Sequence, residues 1–192
     1  WEEPCISGTK GSGAVFFSGC TLRCVFCQNY EIAEGICGRE ITLERLGQIF
    51  LELQEQGAAN INLVTATHFL PAVIPALQSA REQGLQIPVI YNTGGYERPE
   101  TVKMLDGLVD VWLPDFKYMD PELGAMYSHS KDYPQKAAEA LAAMVEQTGP
   151  CIFDEDGYIQ KGVIVRHLIL PGHTRDSRRI LGYLHETYGN KI

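Results

Sequence analysis

With 192 residues and 45% hydrophobic content, the chain can bury one sizeable core, so a single domain over residues 1–192 is expected. A formal charge of −8 argues against general affinity for nucleic acid, which requires a basic surface; Arg166, His167, His173, Arg175, Arg178 and Arg179 form a local exception. No run approaches the roughly eighteen apolar residues of a membrane helix, and Trp1-Glu2-Glu3-Pro4 has neither region of a signal peptide. No membrane partner and a cytoplasmic location are therefore expected, and six cysteines in a reducing compartment read as ligands plus buried thiols rather than a disulfide framework.

In chain order, Glu3 to Gly13 carries Pro4, Gly8, Gly11 and Gly13 and reads as an irregular lead-in. A strand is expected from Ala14 to about Ser18, followed at once by Cys20, Cys24 and Cys27. Thr42 is placed to cap a helix with Leu43, Leu46, Phe50 and Leu53 on one face, stopped by Gly57. Asn60 to Ala66 reads as a buried strand, Val73 to Ala80 as a helix ended by Gly84, and Ile87 to Tyr91 as a β-branched strand. A short helix from Pro99, a strand over Leu108 to Leu113, a short helix or turn at Asp120-Pro121-Glu122 and a longer helix from Pro134 to Gly149 follow. Asp154 to Gly157 reads as a tight turn, Val163 to Leu170 as an apolar strand and Ser177 to Tyr188 as an amphipathic helix. Strands each followed by helix imply a parallel sheet with right-handed crossovers, in a chain too short for an eight-stranded barrel of about 250 residues. The chain begins at Trp1 without a methionine, which is compatible with a piece of a longer protein.

The strongest chemical signal is the spacing C-x3-C-x2-C of Cys20, Cys24 and Cys27 in a loop at a strand's end. Zinc usually takes four protein ligands in paired spacing, and no second pair is visible. Three thiolates suit a cubane iron–sulfur cluster whose fourth iron is open; a disulfide with a free thiol, or an incomplete zinc site, are the alternatives. Cys5, Cys37 and Cys151 match no metal spacing and read as free thiols.

This triplet, with Phe26 before the last cysteine, resembles the signature of the radical S-adenosylmethionine enzymes. The continuation Phe26-Cys27-Gln28-Asn29 is similar to the branch containing pyruvate formate-lyase-activating enzymes and their uncharacterised relatives. The resemblance implies a partial (β/α)6-type radical SAM barrel with parallel strands, here lacking the last unit. It also implies a 4Fe–4S cluster on Cys20, Cys24 and Cys27, with S-adenosylmethionine on the open iron and Phe26 against its adenine.

Ligands of parallel α/β folds sit at the carboxyl ends of the strands, where this sequence concentrates polar residues. After the second strand comes Thr65-Ala66-Thr67-His68, where relatives carry Gly-Gly-Glu to receive the methionine amino group; Thr67 and His68 are the candidate replacements, with an ordinary helix-entry histidine as the alternative. After the third, Asn92 and Thr93 offer donors and acceptors before Gly94-Gly95. Asp115 and Lys117 share one side of an extended segment, and Arg166 suits a carboxylate bidentately; internal ion pairing is the alternative for all three. By resemblance, Asp115 lies near the cofactor's carboxylate through a monovalent cation shared with Asn92 and Thr93. Tyr127, His129 and Tyr133 read as loop residues after the fourth strand, and His167 as packed or surface.

The activity the resemblance implies is one-electron cleavage of S-adenosylmethionine to methionine and a 5′-deoxyadenosyl radical that abstracts hydrogen. The closest analogy makes the substrate a glycine in a partner glycyl-radical enzyme and the reductant a flavodoxin or ferredoxin, in an anaerobic setting. Another peptide or small-molecule substrate, or a non-catalytic metal-binding fragment, are the rival readings.

Overall fold

The computed structural model describes residues 3–192. Its centre is a run of strands, β1 (Gly13–Phe16), β2 (Ile61–Val64), β3 (Val89–Thr93), β4 (Val111–Pro114), β5 (Ile152–Phe153) and β6 (Ile159–Val163), of which β2, β3 and β4 are buried on both faces. The sheet order is β1-β2-β3-β4-β6-β5; the first four neighbouring pairs run parallel, and β5 pairs antiparallel with β6. The apolar runs of β2, β3 and β4 reflect that double burial. The sheet does not close, and the architecture is that of a partial, mostly parallel α/β barrel.

The helices are α1 (Pro4–Ser7), α2 (Tyr30–Ala33), α3 (Leu43–Glu55), α4 (Leu70–Glu82), α5 (Pro99–Met104), α6 (Pro121–Ser128), α7 (Tyr133–Thr148) and α8 (Thr174–Tyr188). Thr42 caps α3 by accepting the Arg45 N–H at 3.2 Å, and Asp120 caps α6 by accepting the Glu122 N–H at 2.9 Å. Of the face predicted for α3, Leu46 and Phe50 are buried while Leu43 is exposed.

Side chains alternate across each strand, and two separate apolar clusters follow. Leu63, Tyr91, Trp112 and Val163 point into the helix-covered core with Phe50, Leu77 and Met144. Ile90, Val111, Leu113 and Ile159 point to the other, concave face, which Ile6 of α1 plugs. The Asn60 side chain secures that plug by donating to the Ile6 carbonyl at 2.7 Å. The lead-in is thus less irregular than its glycines suggest: one helical turn drops an isoleucine onto the sheet.

Two further expectations need correction. The last parallel strand covers 159–163, not 163–170, and a short antiparallel partner precedes it across the predicted turn at Asp154–Gly157. Beyond it a single bridge, Asp115 to Arg166, continues the β4–β6 ladder. Leu168 and Ile169, within the expected apolar strand, are 55% and 62% exposed. Tyr127 and Tyr133 stand on α6 and α7 rather than in a loop, and Tyr133 is fully buried. No helix among the described residues is long and apolar enough to cross a membrane.

Candidate functional site at the carboxyl ends of the strands

The cysteine loop leaves β1 and crosses the carboxyl ends of the strands. Its backbone is tied at three points: Gly19 N–H to the Ile32 carbonyl at 2.7 Å, Val25 N–H to the Tyr127 carbonyl at 2.9 Å, and Cys27 N–H to the Cys24 carbonyl at 3.0 Å. Leu22, 3% exposed, anchors it from below. A Cβ on Gly94 would stand 2.8 Å from a Leu22 methyl and 3.8 Å from Lys117 Cε, so the bare glycine at the end of β3 is what lets the loop settle beside Lys117.

Cys20, Cys24 and Cys27 are all partly buried and unbridged. Burial pushes the Cys24 thiol up, Lys117 and a hydrogen bond from Ser128 pull it down, and the neighbouring Cys20 and Cys27 push it up again. Cys24 therefore lies within electrostatic reach of Lys117 and of the other two sulfurs. Among the described residues no three His, Cys, Asp or Glu side chains form a cage around a single ion. A multi-iron cluster takes its thiolates on separate irons, so its ligands need not converge on one point.

On the concave face, the strand ends bring four of the predicted residues together. Lys117 Nζ lies 2.5 Å from Asp115 Oδ2, Arg166 Nε lies 3.4 Å from Asp115 Oδ1, and an Arg166 Nη donates to Asn92 Oδ1 at 2.5 Å. Asp115 and Arg166 keep 26% and 30% side-chain exposure, so the network is an ion-paired set with one side open. Here the internal ion pair and the candidate ligand set are the same residues. Asn92, Asp115 and Arg166 share this face because strand parity places each with Ile90, Leu113 and Ile164.

The other predicted residues go elsewhere. Thr93, one position from Asn92, faces the helix side and donates to Glu97 Oε1 at 2.5 Å. Thr67 donates to the same oxygen at 2.7 Å and accepts from Tyr91 Oη at 3.1 Å. Glu97 is 5% exposed, burial raises its pKa, and its second oxygen has no hydrogen-bond partner among the described residues. His68 reaches back to the Ser18 carbonyl at 2.6 Å, pinning the root of the cysteine loop to the end of β2. There Thr65, a β-branched residue, holds φ +58°, a strained conformation of the kind that clusters at functional sites. Phe26 packs edge-on to Tyr118 and tilted to Tyr127, centroids 6.4 and 6.2 Å away. His167 is packed, with its ring nitrogens at the Phe116 carbonyl and the Ser177 hydroxyl.

Sequence reasoning placed Tyr133 in a loop and missed its role. Its hydroxyl lies 2.8 and 2.9 Å from the carbonyls of Gly94 and Asp115 and accepts the Lys117 N–H at 2.9 Å, so one buried phenol locks the ends of β3 and β4. A Cβ on Gly95, at φ +79°, would sit 2.1 Å from the Asp115 carbonyl oxygen, which keeps the two backbones in contact only through glycine. No spacing rule flags Tyr133; Gly94-Gly95 was the available clue that backbones meet here.

The donor set fits the groups that the family implies. Thiols suit iron, and the adjoining carboxylate, ammonium, guanidinium and amide suit an amino-acid-bearing ligand. The comparisons agree at the level of fold and family. The uncharacterized protein MJ0674 of Methanocaldococcus jannaschii is 29% identical over 169 residues, which are 84% of this chain and 45% of that protein. The chain thus spans about half the length of that curated relative. The crystal structure of Streptococcus suis SuiB bound to precursor peptide SuiA superposes with a TM-score of 0.63 at 15% identity, covering 93% of this chain and 36% of SuiB. The Radical SAM superfamily matches residues 14–184, and the chain belongs to that superfamily, whose domain implies a 4Fe–4S cluster and S-adenosylmethionine.

Proposed function

We propose that Cys20, Cys24 and Cys27 ligate a 4Fe–4S cluster and that Asn92, Asp115, Lys117 and Arg166 hold S-adenosylmethionine against it, in a chain that generates a radical for a protein or peptide substrate. The observation that carries this reading is the seat of Leu22 on Gly94, which sets the thiol loop directly beside Lys117 and the open side of the ion-paired set. When bound, the two cofactors supply one-electron cleavage of the sulfonium to methionine and a carbon radical that takes a hydrogen atom from substrate.

The chain's own residues bind and orient. Arg166 and Lys117 present cations to the methionine carboxylate, while Asp115 and Asn92 hold those cations in place. A monovalent cation beside Asp115 and Asn92 belongs to the same proposal. Thr67, Thr93 and His68 act by fixing the backbone ends of β2 and β3, whose carbonyls receive the ammonium. Phe26, backed by Tyr118 and Tyr127, offers its remaining face to the adenine.

For the substrate, the resemblance to pyruvate formate-lyase-activating enzymes favours the glycine of a glycyl-radical enzyme, with a flavodoxin or ferredoxin as electron donor. The structural neighbour favours a second reading, because SuiB is seen bound to a precursor peptide. Reduced, reconstituted protein incubated with a candidate glycyl-radical enzyme should give a glycyl doublet by electron paramagnetic resonance. No doublet, with deuterium instead passing from a labelled peptide into 5′-deoxyadenosine, selects the peptide-modifying reading.

A further inference from the structure

The end of α6 carries a contact that cysteine spacing does not explain. Ser128, fully buried, donates its hydroxyl to Cys24 Sγ at 2.9 Å. Its oxygen also lies 2.7 Å from the hydroxyl of Tyr118, itself fully buried. A serine hydroxyl has one proton. With that proton on the sulfur, the second contact must run from the phenol to the serine oxygen, giving a directed chain Tyr118 to Ser128 to Cys24.

The backbone holds this chain rigidly. His129 closes α6 in the left-handed conformation, φ +55°, with its N–H on the Gly124 carbonyl. Ser130 N–H adds a second bond to the same carbonyl at 3.0 Å, and a Cβ on Gly124 would come within 2.5 Å of Ser130 O, so the fold-back requires glycine there. Tyr127, next to Ser128, accepts the Val25 N–H, which fixes Cys24 and Ser128 to one short stretch of helix end.

We propose that the Tyr118–Ser128 hydroxyl pair sets the reduction potential of the cluster through Cys24, a role that rests on the ligand assignment above. Reduction adds negative charge to the cluster and its thiolates, so a hydroxyl aimed at a ligand sulfur stabilises the reduced form more than the oxidised one. Burial removes competing water, and the phenol polarises the serine hydroxyl further. Both are positioning residues that act through Cys24.

The test is an EPR-monitored redox titration of anaerobically reconstituted wild-type, Ser128→Ala, Ser128→Thr and Tyr118→Phe proteins, with resonance Raman of the iron–thiolate stretches. Ser128→Ala should shift the midpoint to more negative potential and raise the stretching frequency. Tyr118→Phe should shift both in the same direction by less, and Ser128→Thr, which keeps the hydroxyl, should stay near wild type. A full cluster complement at wild-type potential in Ser128→Ala overturns the proposal. Should that variant fail to hold a cluster, an unchanged potential in Tyr118→Phe overturns it equally. A wild-type protein that takes up no cluster, or a Cys24→Ser protein whose cluster is unaltered, contradicts the ligand assignment instead.

Discussion

Two polar groups lie back to back at the strand ends, and they are built on opposite principles. On the concave face, Asn92, Asp115, Lys117 and Arg166 form a charged set with one side open. Across the sheet, Tyr91, Thr67 and Thr93 gather around the buried Glu97 with the helices closed over them. Asn92 and Thr93 are neighbours in sequence, yet strand alternation sends one to each group. Charge that keeps partial exposure is available to a ligand; hydroxyls that are buried and mutually satisfied hold β2 and β3 together. Substitutions should therefore separate cleanly into those that cost binding and those that cost stability.

The largest effect should fall on the closed side. Trp112→Ala empties a fully buried site against Tyr91 and removes the bond to Gln147, so about 3–5 kcal/mol of stability should be lost in urea titrations. Thr67→Val strands the Tyr91 hydroxyl and removes one donor from Glu97; roughly 1–3 kcal/mol should be lost, again by urea titration. If Thr67→Val instead leaves stability intact and abolishes S-adenosylmethionine binding, the division between the two groups is wrong.

On the open side the balance reverses. Asp115→Asn keeps the shape but frees Lys117 and Arg166 from their carboxylate, and its stability cost should be about 1 kcal/mol because the pair is partly solvated. Isothermal titration of S-adenosylmethionine should show binding weakened by roughly tenfold as the cations lose their fixed orientation.

The smallest effect is a slope. Glu97 has its pKa raised by burial above the ordinary 4.5. In the window from there up to its raised value, the native state keeps a proton that the unfolded chain releases, so this group's contribution to stability falls as pH rises and is flat above. Urea titrations across pH should show wild type losing that increment relative to Glu97→Gln. Parallel pH profiles for the two proteins would mean that Glu97 ionises as readily folded as unfolded.

What could be read before folding follows the same division. Mostly apolar runs marked β2, β3 and β4 because both faces of these strands are buried, with Asn62 and the strand-end pair Asn92 and Thr93 as the polar exceptions. The spacing of Cys20, Cys24 and Cys27 was legible because loop chemistry is local, and so was the shared side of Asp115 and Lys117, two residues apart on an extended segment. Thr93 was grouped with Asn92 because adjacency says nothing about which face a strand's last residues take. Leu168 and Ile169 read as part of an apolar strand, yet the ladder stops at Arg166, and without a partner strand their apolarity does not bury them. Tyr133 and Ser128 act on residues about twenty and about a hundred positions away, through contacts that only the packing of α6 and α7 creates.

The most direct test of the cluster-and-cofactor site is anaerobic turnover. Protein reconstituted with iron and sulfide, reduced with dithionite and supplied with S-adenosylmethionine should release 5′-deoxyadenosine and methionine in equal amounts, and Cys24→Ser protein should release neither. A correctly folded wild-type protein that holds a cluster but yields no 5′-deoxyadenosine, or a Cys24→Ser protein that yields it undiminished, would contradict the account.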